Sequence, residues 1–98
     1  MIDQGKRVQG KVALISGAAQ GVSGQIMGFG GASARLLAEH GASIMLSDID
    51  VANGEKTASE IRDFGGKAEF IKLDVTSEPD WINAVNKTVE LYGHLDIL

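Results

Sequence analysis

The chain alternates short apolar runs with longer stretches in which apolar residues return every three or four positions. Lys11–Ser16 (KVALIS), Ser43–Ser47 (SIMLS) and Ala68–Leu73 (AEFIKL) are the short runs. Their length and composition predict three strands, the first of the fully buried type. Gly31–His40 (GASARLLAEH) predicts a helix with Leu36, Leu37 and His40 towards one side and Gly41 as its stop. Val51–Phe64 predicts a second helix that turns Ala58 and Ile61 inward and ends at Gly65-Gly66. The third, Glu78–Tyr92, carries the clearest signals: Ser77 as N-cap, Pro79 in the first turn, Asp80 near the positive end of the helix dipole, and Gly93 as the stop. Ile82, Val85, Val89 and Tyr92 recur at helical spacing and predict its core-facing stripe. Leu95–Leu98 (LDIL) begins a fourth strand, inside which the chain stops.

Strand and helix in alternation form the βαβ pattern, which predicts an α/β fold with a parallel sheet covered by helices on both faces. Right-handed crossovers make a doubly wound sheet its simplest closure. Ligands of such sheets lie beyond the carboxyl ends of the strands, so the residues that follow each strand are the candidates for chemistry.

After the first strand comes SGAAQGVSGQIMGFGG, Ser16–Gly31, which holds six of the chain's 13 glycines and nearly repeats itself after seven residues. A glycine-rich turn between strand and helix holds phosphate, because bare backbone N–H groups and the helix dipole face the anion. A helix starting just after Gly21 would carry Gly24, Gly28, Gly30 and Gly31 internally, a cost of about 3–4 kcal/mol relative to alanine. A strand running on through Gly17 and Gly21 is also disfavoured. The least costly arrangement ends the strand at Ser16, starts the helix near Gly28–Gly31 and splices a seven-residue excursion into the loop.

After the second strand comes Asp48, in LSDID, and after the third Asp74-Val75, in LDVT. A carboxylate at the end of strand two can accept hydrogen bonds from both vicinal hydroxyls of an adenosine ribose and would repel a 2′-phosphate. The nearest cationic residues in sequence are Arg35 and Lys56. That combination points to NAD rather than NADP. The same carboxylate could instead cap the following helix, a task for which Asp50 is an equal candidate.

Composition narrows the field. The 98 residues allow one domain, and 44% hydrophobic with 22% charged content is globular. Thirteen acidic against nine basic residues, net −4, offer no basic footprint for nucleic acid. No apolar run approaches a membrane span. The absence of cysteine excludes disulfides and thiolate metal sites and fits a cytoplasmic protein. His40 and His94 lie in no metal-binding spacing.

Taken together, GKVALISGAAQG, GFGGASARLLAEHGASIMLSDID, KLDVTSE and YGHLDIL resemble the N-terminal part of the short-chain dehydrogenase/reductase family, from about Gly10 onward. The resemblance implies a Rossmann-like, doubly wound parallel sheet truncated within the fourth strand, with residues 1–98 forming the N-terminal part of one NAD-binding domain. It implies an oxidoreductase moving hydride between NAD(H) and a small alcohol or carbonyl compound. It places the third loop glycine eleven residues before the Gly-Ala that ends the first helix, which here selects Gly30 ahead of Gly41. The implied cofactor-binding residues are Gly17, Gln20, Gly28, Phe29 and Gly30 in the loop, Asp48 and Ile49 after strand two, and Asp74 and Val75 after strand three. Ile26 and Met27 of the excursion would add bulk where the pyrophosphate runs, so the duplication reads as damage to the loop more than as a new one.

The resemblance also implies that the catalytic Ser, Tyr and Lys, and an Asn-Asn-Ala-Gly stretch, would lie beyond Leu98. Tyr92 has Asp96 where the family's lysine would stand, so it reads as core packing, and no residue here is assigned to catalysis. The chain alone is expected to be inactive and not to form the family's homo-oligomers. It is also expected to fold marginally, with Val12 and Leu14 short of cover, since a domain of this size holds only about 5–15 kcal/mol of net stability. Two alternatives remain at this point: a methyltransferase-type domain that binds S-adenosylmethionine, and a non-catalytic remnant.

Overall fold

A computed structural model describes residues 8–17 and 29–98. Gln20, Gly28 and the excursion 21–27 lie outside the described residues. The elements are β1 (Val12–Ser16), α1 (Phe29–Glu39), β2 (Ser43–Asp48), α2 (Val51–Asp63), β3 (Lys67–Lys72) and α3 (Glu78–Tyr92). All three strands are parallel in the order β1-β2-β3, with Ala13 beside Ile44 and Ile44 beside Ala68. After α3 the chain returns to the free side of β1, where Ile97 pairs in parallel with Ala13. Strand order therefore reverses at β1.

Alternate side chains of each strand enter two separate cores. Ala13, Ile44, Leu46 and Ala68 meet Ala34 and Ala38 of α1 and Ala58 and Ile61 of α2. On the opposite face Leu14, Met45 and Leu73 meet Ala84 of α3, with Trp81, Val85, Tyr92 and Leu95 around them. Each fully buried Ile, Leu or Met contributes about 1.5–3 kcal/mol. The fold is thus a Rossmann-like α/β sheet with helices on both faces.

Helix seating differs from the periodicity-based expectation. Leu36 is 56% exposed, and α1 faces the sheet through Ala34 and Ala38. These follow Gly30 at intervals of four, so the stripe that touches the sheet is made of small residues and the leucines fall to its flank. In α3, Ile82 and Val89 are 54% and 42% exposed, while Ala84 and Thr88 are fully buried. Small residues again let the helix approach closely, and the Thr88 hydroxyl is satisfied by donating to the Ala84 carbonyl at 2.7 Å. Val12 and Leu14 are covered after all, at 2% and 1% exposure. Leu14 packs in the core beneath α3. Residues 94–97 close over the start of β1: Asp96 Oδ2 accepts the Val12 N–H at 2.9 Å, and His94 Nε2 lies 2.8 Å from the same oxygen.

Helix ends follow the local signals. Ser77 caps α3 by accepting the Asp80 N–H, and Gly93 ends it in the left-handed conformation. Asp50, not Asp48, is the N-cap of α2, accepting the Asn53 N–H.

Tyr92 is a packing residue. Its hydroxyl donates to the Ile44 carbonyl at 3.1 Å. Burial, with Glu69 nearby, pushes its pKa up to about 12 from 10.0, Arg62 opposing. A raised folded-state pKa means the neutral phenol stabilises the fold fully below pH 10.0 and that this contribution is lost as pH climbs through 12. Tyr92→Phe is expected to cost about 1 kcal/mol at neutral pH. The gap between the two proteins should shrink across that alkaline window. Urea unfolding of both at stepped pH measures it, and a gap that does not change with pH would sink the prediction.

Candidate functional site

The carboxyl ends of β1, β2 and β3 lie side by side, and the residues that follow them form one cleft. Gly17, Asp48, Ile49, Leu73, Asp74 and Val75 line a hollow of about 310 Å³. Five of the residues singled out from the sequence therefore meet in one place. Leu73, the floor, was not among them: it reads as an ordinary core residue, and only the pairing of strands puts it beneath the cleft. A backbone hydrogen bond from Leu73 N–H to the Asp48 carbonyl, 3.0 Å, ties the two carboxylate-bearing ends together.

β1 leaves the sheet through Gly17, whose φ of +65° is the left-handed region that side chains other than glycine's avoid. α1 begins at Phe29, and its second residue, Gly30, presses against the end of the strand. A Cβ at Gly30 would stand 2.6 Å from the Gly17 carbonyl oxygen and 2.8 Å from that of Ser16. Only glycine permits this approach, and it brings the N-terminus of α1, with its positive end of the dipole, to the head of the sheet. A second hollow of about 420 Å³ opens beyond it, between α1 and the outer edge of β1, lined by Ser16, Gly30, Ser33, Leu37 and Ile97 among others.

Asp48 ends β2, and its Oδ1 accepts the Asp50 N–H at 3.0 Å. Because Asp50 performs the capping of α2, the Asp48 carboxylate is not required for that task. Ile49 and Val75, 58% and 57% exposed, are apolar walls of the cleft. Asp74 Oδ1 accepts from the Thr76 hydroxyl at 2.7 Å and from the Thr76 N–H at 2.9 Å. These two bonds, with Lys72 nearby, hold its carboxyl below the usual carboxylate range. Asp74 is therefore a fixed anion at neutral pH.

Of the two cationic residues nearest in sequence, Arg35 is turned elsewhere. Arg35 pairs with Glu60 at 3.1 Å and stacks 5.7 Å from the centre of the Phe64 ring, in the groove between α1 and α2. Neither Arg35 nor Lys56 lines the cleft. Among the described residues no helix is long and apolar enough to cross a membrane.

A family model described as short chain dehydrogenase matches residues 11–98. Tropinone reductase-like 1 of Erythroxylum coca is 42% identical over 93 residues, which is 95% of this chain and 30% of that protein. Cyclopentanol dehydrogenase of Comamonas testosteroni is 41% identical over 92 residues, 94% of this chain and 34% of that protein. The crystal structure of a hydroxysteroid dehydrogenase from Escherichia coli superposes with a TM-score of 0.83 at 33% identity, over 94% of this chain and 36% of that one. The chain thus spans about a third of the length of these relatives. The methyltransferase-type reading of the glycine loop is left without support. By its sheet, by the meeting of its glycine turn with Asp48 and Asp74, and by these matches, the chain belongs to the short-chain dehydrogenase family.

Proposed function

We propose that the chain is the nucleotide-binding part of an NAD(H)-dependent oxidoreductase that moves hydride between nicotinamide and the carbon of a small alcohol or carbonyl compound. The observation that carries this reading is the cleft in which Gly17, Asp48, Ile49, Asp74 and Val75 converge beyond the carboxyl ends of the three strands, beside the point where strand order reverses at β1. Its parts suit an adenosine: apolar walls at Ile49 and Val75 for the base, and a carboxylate at Asp48 for the ribose hydroxyls. Gly17 and Gly30 suit a pyrophosphate passing close to the backbone at a helix N-terminus. The second hollow, on the other side of Gly30, suits the nicotinamide half.

Nicotinamide, when bound, supplies the hydride acceptor or donor. The residues of this chain bind and orient it. We assign none of them to proton transfer, and Tyr92 in particular has its hydroxyl committed to the core with its pKa raised, the reverse of what a general acid/base near neutrality needs.

Preference for NAD over NADP follows from Asp48, whose charge would face the 2′-phosphate, and from the engagement of Arg35 with Glu60. Calorimetric titration of the 98-residue chain with NADH and NADPH tests the proposal. NADH should bind measurably and more tightly. No binding of either would overturn the nucleotide reading, and tighter NADPH would overturn the preference. The excursion gives a companion test: deleting 21–27 should tighten NADH binding if those residues obstruct the pyrophosphate, and weaken it if they hold it.

A further inference from the structure

The wall of the cleft that carries Asp74 and Val75 is a short turn between β3 and α3, and α3 reaches back to hold it at two points. Asp80 Oδ2 accepts the Asp74 N–H at 2.9 Å. Trp81, the next residue, donates its indole Nε1–H to the Val75 carbonyl at 2.9 Å. Ser77 closes the turn from within, donating its N–H to the Asp74 carbonyl at 2.9 Å. The body of the indole packs on the core of Leu14, Met45, Leu73 and Ala84, so the donor is anchored to the sheet.

We propose that Trp81 is a positioning residue for the nucleotide: by holding the Val75 carbonyl it sets the orientation of the Val75 peptide, and with it the apolar wall against which the base lies. The role presupposes nucleotide binding in the cleft. The Val75–Thr76 peptide is tied by its carbonyl to the indole and by its N–H to Asp74 Oδ1, so it has little freedom to rotate. The Val75 side chain then stays over the cleft without ordering on binding, which removes an entropic cost that a loose turn would carry. The Val75–indole bond is at the surface, so water can take the place of the indole when it is lost. The loss should therefore loosen the wall far more than it destabilises the fold.

The chain has one tryptophan, so a nitrogen-15-labelled sample shows a single indole N–H resonance, and that resonance reports this bond. Titration with AMP should shift it in step with the amides of Gly17 and Asp48, giving one dissociation constant. Trp81→Phe keeps the aromatic packing and removes the donor. It should weaken AMP binding about three- to ten-fold, the size of one ordinary hydrogen bond. Tyr92→Phe, which removes a hydrogen bond from the same core but lies away from the cleft, controls for general loosening and should leave AMP affinity unchanged.

If the amides of Gly17 and Asp48 respond to AMP while the indole stays still and Trp81→Phe binds as well as the parent, the cleft stands and the role of Trp81 falls. If the two variants weaken AMP alike, Trp81 is merely structural. If no resonance of the parent responds, the nucleotide reading itself falls and takes the proposal with it.

Discussion

Gly30→Ala is expected to weaken NADH binding at least about tenfold and to destabilise the chain by about 1–3 kcal/mol, the usual range for overpacking a close contact. Two effects oppose each other here. Alanine is favoured over glycine inside a helix by about 0.8–1 kcal/mol. Against that, the new methyl would meet the carbonyl oxygens of Gly17 and Ser16 at 2.6 and 2.8 Å. Both are backbone atoms at or just past the end of β1, whose last residue Ser16 is paired with Ser47, and neither can swing aside as a side-chain tip would. The helix must move instead. That motion carries its N-terminal N–H groups away from the anion they are proposed to hold, so affinity should fall along with stability. Urea unfolding and NADH titration of the same sample measure both quantities. Undiminished stability together with undiminished affinity would show that α1 does not sit this close to β1.

Asp48→Ala is expected to lower NADH affinity by about 10- to 100-fold, the value of hydrogen bonds to a charged group at about 1.5–3 kcal/mol. NADPH affinity should be unchanged or improved, because the repulsion of a 2′-phosphate disappears with the carboxylate. The fold should tolerate the change. Asp50 keeps the cap of α2. Asp48→Asn separates the two contributions: its amide oxygen can still accept from Asp50, while the charge is gone. It should fall between the parent and the alanine variant for NADH and resemble alanine in its improved tolerance of NADPH. Equal losses for both cofactors in the alanine variant would argue against a ribose contact.

Much of this site was legible because the signals are local. Asp48 and Asp74 were located by noting which residues follow apolar runs, and a parallel sheet necessarily gathers the ends of its strands on one side. Ser77, Pro79 and Gly93 bounded α3 because caps act through the nearest backbone groups. Gly30 was selected by the family resemblance and not by a local signal, and the contact beneath it accounts for the glycine.

What the sequence determined by itself, then, was the kind and order of the elements and the strand ends where chemistry collects, since periodicity, caps and turn residues are short-range properties of the chain. The tertiary structure decided how deep each helix sits. Leu36, Ile82 and Val89 looked like core by size and spacing, yet Ala34, Ala38, Ala84 and Thr88 occupy it, because a helix drawn close to a sheet has room only for small side chains at the contact. It also decided between Asp48 and Asp50 as the cap: the Asp50 carboxylate accepts the Asn53 N–H, while that of Asp48 accepts the Asp50 N–H. The link from Trp81 to Val75 belongs to the same class: six residues separate the partners, and the shape of the turn between β3 and α3, held by Asp74, Thr76 and Asp80 together, brings the indole to that carbonyl.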